Sequence, residues 1–261
     1  MEMIREAMYI IILVCIFLTC TQITGQTDSN AVSSHFSGKI LATNNGISLV
    51  PSFSLDKPAL LFNLSLGKRR LSFDPDIRFS LEGKPWSMLF WFRYKAVQKN
   101  KLDLRVGMHP GYNFRTIPVV SYEKTKDVIE TRRFLAFEIA PNYRISDKIK
   151  VGAYYLFSLG FDDSQKYTHF VTLNTSFPNI KVLPGIQLGL FPSFYYLRLD
   201  DLDGVYFTSG FELSKSDFPL SLEAIINQKI RTDILPERRF VWNVSLVYSF
   251  HRKYIDMPST F

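Results

Sequence analysis

Ionisable side chains recur at every second position in several stretches: Asp74, Asp76 and Arg78; Arg93 and Lys95; Lys101, Asp103 and Arg105. Residues two apart point the same way on an extended chain, so each set places its charges on one strand face. Paired carboxylates such as Asp74 and Asp76 can do acid–base work or bind Ca²⁺, but Arg78 on the same face makes a solvated or salt-bridged group the simpler reading. Asp162-Asp163 and the trio Asp200, Asp201 and Asp203 fit polar turns. Four scattered histidines (His35, His109, His169 and His251) give no zinc spacing, and no nucleotide-binding, zinc-protease or nucleophile-elbow motif is present. No metal, cofactor or catalytic set is expected. The chain is basic, with 31 Lys and Arg against 24 Asp and Glu. Those charges are spread over turns and alternate positions without a helix or stripe to carry them, so nucleic acid is not expected as a partner.

The elements that position these charges read in period two. Hydrophobic residues make up 46 % of the 261 positions and aromatics 15 %. The clearest run is the last: Phe240, Trp242, Val244, Leu246, Tyr248 and Phe250 share one face, while Val241, Asn243, Ser245, Val247 and Ser249 share the other. Similar runs are predicted at 47–55, 58–67, 70–82, 85–97, 101–111, 131–144, 147–160, 166–178, 183–198, 203–214, 217–231 and 238–250, with an optional strand at 36–43 before the turn signal Asn44-Asn45-Gly46. Many exceed ten residues, enough for a tilted strand to cross a bilayer. Pro51, Pro75, Pro141 and Pro192 fall inside these runs and each removes a ladder donor, so bulges are expected there.

The first residues have a different character. Ala7–Cys20 is a mostly apolar run of signal-peptide length, succeeded by Ile23 and Gly25 at the −3 and −1 positions of a cleavage before Gln26. Residues 1–25 are read as a signal peptide, 26–46 as a lead-in or extra strand, 47–250 as the barrel and 251–261 as a periplasmic tail. Both cysteines, Cys15 and Cys20, lie in the leader, so the exported chain would have no disulfide.

The polar side of the strands decides how the two faces are oriented. Twelve strands with about five large side chains each overfill a small barrel interior, whereas small residues and paired charges suit a confined lumen. The apolar face is therefore expected to meet lipid. Connections near 67–69, 98–100, 146–147 and 215–216 are short and share one end, while the long connection Tyr112 to Glu130 lies at the other. This pattern resembles a Gram-negative outer-membrane β-barrel, an all-β, transmembrane, antiparallel, up-and-down barrel of about twelve strands. The ending Tyr248-Ser249-Phe250 resembles the signal read by the barrel-assembly machinery, although His251–Phe261 extend the chain where many such proteins stop. The resemblance implies outer-membrane lipids, lipopolysaccharide and the assembly machinery as partners. It identifies no functional family, and the oligomeric state is not legible.

By parity the inner wall receives Arg70, Asp74, Asp76, Arg78, Arg93, Lys95, Lys101, Asp103, Arg105, Glu138, Arg144, Lys150, Glu212 and Glu223. One side of the lumen should thus be net basic, centred on Arg93, Lys95 and Arg105 with Asp103 and Glu138 as partners, giving a narrow pore with weak anion preference. A plugged structural or docking barrel is the alternative. An outer-leaflet lipid hydrolase would need Ser and His together on the lipid face. His169 points there, but Ser193 on the neighbouring strand faces the lumen, so no enzymatic activity is expected.

Overall fold

A computed structural model describes residues 33–121, 124–162 and 165–255; the expected signal peptide, the first residues of the lead-in and the last residues of the tail lie outside them. Twelve strands form one closed antiparallel barrel in which each pairs with its sequence neighbours and the first closes on the last. They are β1 (Ser33–Thr43), β2 (Ala59–Lys68), β3 (Leu71–Ser80), β4 (Pro85–Gln98), β5 (Leu102–Ser121), β6 (Lys124–Ser146), β7 (Ile149–Gly160), β8 (Tyr167–Leu183), β9 (Ile186–Leu199), β10 (Leu202–Lys215), β11 (Leu220–Thr232) and β12 (Phe240–Ile255).

The faces are set as the alternation requires. On β12, Trp242, Leu246 and Tyr248 are about half exposed on the outer face, whereas Ser245 and Val247 between them are buried. Leu173 and Phe194 are 67 % and 57 % exposed. A belt of large apolar side chains left bare all round a closed barrel is stable only against lipid, because its area in water is far beyond that of ordinary surface patches.

Three expectations about the elements are corrected. The run at 47–55 is not a strand; β1 is the optional run, extended to Ser33–Thr43. Gly46 and Lys57 close a loop, Gly46 N donating to Lys57 O and Leu55 N to Gly46 O, around a 3₁₀ turn at Pro51–Phe53. Pro51 supplies the fixed φ of a first helical position there and interrupts no ladder. The second correction concerns 112–130, expected as a loop. β5 and β6 stay paired from Leu102↔Tyr143 to Ser121↔Lys124. Their other neighbours stop at Ser87↔Asn113 and Phe134↔Gly160, so the hairpin projects roughly 25 Å past the rim at about 3.4 Å per residue. At the opposite end, β12 continues beyond Phe250 and pairs with β1 up to Ile255, so 251–255 is strand and not tail.

The remaining strand prolines keep one intact ladder and face a gap in the other. Pro75 pairs with Phe90 of β4, while the β2–β3 register skips from Asn63↔Asp76 to Leu66↔Phe73. Pro141 pairs with Leu104, and the β6–β7 register skips from Ile139↔Tyr155 to Asn142↔Gly152. Pro192 pairs with Ser209, and the β8–β9 register skips from Asn174↔Ser193 to Phe177↔Leu190. A missing N–H is thus placed where no acceptor waits for it.

Candidate functional site: the lumen

The inner wall carries two ion clusters at mid-height. In the first, Arg93 on β4 donates from Nε to Glu138 Oε1 at 3.0 Å and from Nη1 to Asp74 Oδ2 at 3.0 Å. Arg105 on β5 donates from Nε to the same Glu138 oxygen at 2.8 Å. Ser65 and Ser72 donate their hydroxyls to Asp74 at 2.6 and 3.0 Å. Asp76 holds Arg78 in a two-point grip of 2.8 and 2.5 Å. Arg93 and Glu138 are two strands apart, and their meeting depends on Gly107, which lies between them in register. A Cβ on Gly107 would stand 3.0 Å from Arg93 Cγ and 3.1 Å from Glu138 Cγ. Two of the three guanidiniums also lie over an indole, Arg93 over Trp91 at 4.3 Å and Arg78 over Trp86 at 5.2 Å.

The second cluster joins Lys39 on β1 to Glu223 at 2.6 Å and to Glu212 at 3.5 Å. Glu212 and Glu223 are direct cross-strand partners, so Lys39 screens a like-charge pair that would otherwise repel. Lys39 was not among the expected wall charges; it falls at an inward position of the run 36–43, and treating that run as optional hid it.

These pairings change the expected charge pattern. Asp74, Asp76 and Glu138 offset Arg78, Arg93 and Arg105, and the Lys39 cluster is net acidic, so the mid-lumen carries no basic surplus. The surplus lies at the rim that carries both chain ends. Arg70 stands in the β2–β3 turn with its carbonyl accepting from Lys95 N, and both side chains are exposed. Arg144 pairs in register with Lys150 and donates its N–H to Lys101 O, which aligns three cations side by side on neighbouring strands. Asp103 is exposed at the same level. Among the described residues no ion pair joins Lys95, Asp103 or this row. Asp103 therefore does not partner Arg93, Lys95 or Arg105 as expected.

The far end of the lumen is roofed by residues 44–58. Leu49 and Val50 pack on a buried cluster of Phe170, Tyr195, Leu197, Leu199, Tyr206 and Ile234 on the opposite wall. Tyr195 donates its hydroxyl to Leu49 O at 3.2 Å, and Trp86 donates Nε1–H to Phe53 O at 2.7 Å. Arg238 clasps Asp56 through both guanidinium nitrogens. Ile234, from the β11–β12 connection, is 1 % exposed in the same cluster. Between roof and ion clusters is a cavity of about 470 Å³ whose walls include Leu61, Trp86, Trp91, Phe134, Leu156 and Phe170. Sequence reasoning placed small and polar residues on the inner wall and missed these aromatics; the inward parity of Trp91 and Phe134 was the available signal.

The other candidates are accounted for locally. His169 faces outward and its Nδ1 is 2.9 Å from the Tyr155 hydroxyl, beside the Phe157 ring. Ser193 on β9 donates to Leu173 O. Asp162 binds the Arg133 guanidinium and amide, and these hydrogen bonds hold its carboxyl below the usual range. Asp200 accepts from the amides of Lys166 and Tyr167, and Asp203 pairs with Arg231. Among the described residues no group of His, Cys, Asp and Glu is arranged to hold a metal.

No protein-family model matches the chain, and no curated protein matches it significantly. Solved structures similar to it are outer-membrane barrels. An outer membrane channel from Pseudomonas putida F1 aligns with a TM-score of 0.46 at 12 % identity, covering 88 % of this chain and 98 % of that one. The KdgM porin aligns with a TM-score of 0.46 at 11 % identity over 82 % and 99 % of the two chains. OmpT, an outer membrane protein of Vibrio cholerae, aligns with a TM-score of 0.42 at 9 % identity over 85 % and 99 %.

Proposed function

We propose that the protein is a narrow pore of the bacterial outer membrane, with its short-turn end in the periplasm and a weak preference for anions. The observation that carries the reading is the row Lys101, Arg144 and Lys150. Like charges directly opposite one another across strands are destabilising unless a counter-ion joins them. An exposed row of this kind inside a pore mouth concentrates anions and repels cations. At mid-lumen the arginine cluster is balanced by its own acids and the Lys39 cluster is net acidic, so anion preference is set at the mouth and not at Arg93 and Arg105. The 44–58 loop narrows the far end and keeps conductance small.

Planar-bilayer recordings test this. Steady current with an anion-selective reversal potential in a KCl gradient is expected, and the triple change Lys101→Glu, Arg144→Glu, Lys150→Glu should reverse the selectivity. Because the row is exposed, the preference should shrink as salt approaches 1 M, where screening acts over roughly 3 Å. Cation preference in the unaltered protein, or no response to the triple change, would sink the anion reading. A second reading, a structural or docking barrel with a plugged lumen, is favoured by the anchors on the roof (Trp86, Tyr195 and Arg238). Absence of current from correctly folded barrels, with current appearing once 47–55 is deleted, selects it.

A further inference from the structure

The cavity beneath the roof differs from a water-filled passage in the chemistry of its wall. Its rings run in sequence: Trp91 and His109 lie 4.0 Å apart between centroids, His109 and Phe134 5.5 Å, and Phe134 and Phe53 of the roof 6.0 Å. Leu41, Leu61, Leu89 and Leu156 add aliphatic surface, interleaved with small hydroxyl side chains such as Thr43, Ser87, Ser158 and Thr168. Only two charged residues reach it, Arg78 and Glu223, and each is already held, by Asp76 and by Lys39. A lumen that only passed hydrated ions would gain nothing from facing them with indole and phenyl rings.

We propose that this chamber is a binding site for a compact, uncharged aromatic molecule of two to three rings. Size, shape and charge each limit the occupant. A cavity of roughly 150 Å³ accommodates one benzene, and this one has about three times that volume. The ring series along β4, β5 and β6 offers faces and edges at stacking distance, which favours a flat aromatic body over a branched aliphatic one. No unpaired charge lines the wall, so an anion or cation would lose its hydration without gaining a partner. Asn63, Asn113 and Asn243 supply neutral polar contacts for a single hydroxyl or amino group. The site rests on the chamber alone and stands whether or not the barrel conducts.

The three tryptophans make the test direct. Trp86 and Trp91 line the chamber and Trp242 faces lipid, so Trp242→Phe leaves both remaining indoles at the site. In that variant, folded into lipid nanodiscs, the neutral probe N-phenyl-1-naphthylamine should quench tryptophan emission saturably, at one probe per barrel. Neutral 1-naphthol should displace it, and the dianion naphthalene-1,5-disulfonate should not. Ala136, 1 % exposed on the chamber wall, faces Ser158 across the β6–β7 ladder. Ala136→Phe puts a phenyl ring into the chamber, taking about a third of its volume and leaving too little for a three-ring probe, and should abolish the saturable component. If that barrel fails to show a heat-dependent gel shift, Ser158→Phe fills the same space from the next strand. Quenching that rises without saturation, or that survives in the filled barrel, reports partition into lipid and overturns the site. Displacement by the disulfonate as readily as by naphthol overturns its restriction to uncharged ligands. Saturable binding in a barrel that carries no current would refute the pore and support the chamber. Current without saturable binding would do the reverse.

Discussion

At the scale of single residues, the inner wall shows how a buried carboxylate is made tolerable. Glu138 has a fully buried side chain and one oxygen that takes hydrogen bonds from both Arg93 and Arg105. Burying it alone would cost several kcal/mol, and the two guanidiniums offset that cost. Glu138→Gln keeps the shape and removes the charge, leaving Arg105 without an anion and Arg93 with Asp74 only. Breaking a buried pair costs about 3–5 kcal/mol, and the lower end applies here because Arg105 is 42 % exposed and recovers water. The expected result is a loss of roughly 3 kcal/mol in a reversible urea titration in vesicles, with the closed barrel still formed. A change below about 1 kcal/mol would mean that the two arginines are already satisfied by solvent. Gly107 belongs to the same arrangement, since its missing side chain is the space through which Arg93 reaches across β5.

At the scale of elements, parity decides what a substitution costs. Leu246 is 52 % exposed near the middle of β12, on the outer face, and Leu246→Arg should cost roughly 2–4 kcal/mol by placing a guanidinium at bilayer depth. Ser214 is half-buried on the inner face of β10, between Gln187 and Ser221 in register. Ser214→Arg should cost less than about 1 kcal/mol, as lumen positions tolerate charge. Comparable losses for the two variants, measured by the same urea titration, would show that the outer face does not meet lipid. Ser245 is unsuited to that comparison although it also points inward, because it is 5 % exposed against the apolar chamber. Inner positions on one barrel are therefore not equivalent: those near the chain ends are more exposed, and those under the roof are buried.

At the scale of the whole molecule, the two ends handle charge differently. Away from the chain ends, six acids are each paired with a base: Asp56 with Arg238, Glu82 with Lys57, Asp127 with Lys84, Asp162 with Arg133, Asp203 with Arg231 and Glu237 with Lys229. At the rim with the chain ends, Arg70, Lys95, Lys101, Arg144 and Lys150 have no such partners among the described residues. A closed barrel leaves no sheet edge to unravel, which makes unfolding cooperative and slow. Cell fractionation should recover the protein in the outer membrane, and unheated samples should migrate faster than boiled ones on a denaturing gel. Recovery from the soluble periplasm, or a single mobility at all temperatures, would contradict a lipid-embedded barrel.

The sequence by itself determined the strand content, the facing of most strands and a count of about twelve, because a period of two is written residue by residue and needs no partner to be read. Eleven of the predicted runs fall on strands, from β2 to β12, and Asp74, Arg93, Arg105 and Glu138 lie together in one ion cluster. Tertiary structure decided the rest. Ile47, Leu49, Phe53 and Leu55 share one parity and so pass for a strand face, and only the closed lumen offers Ile47, Leu49 and Phe53 burial elsewhere. The hairpin of β5 and β6 has the composition of a loop, yet its two arms pair in unbroken register. Parity could also show which charges face inward but not which ones meet. That choice depends on register between strands, and here on Gly107, whose missing side chain lets Arg93 and Glu138 touch across the strand that separates them.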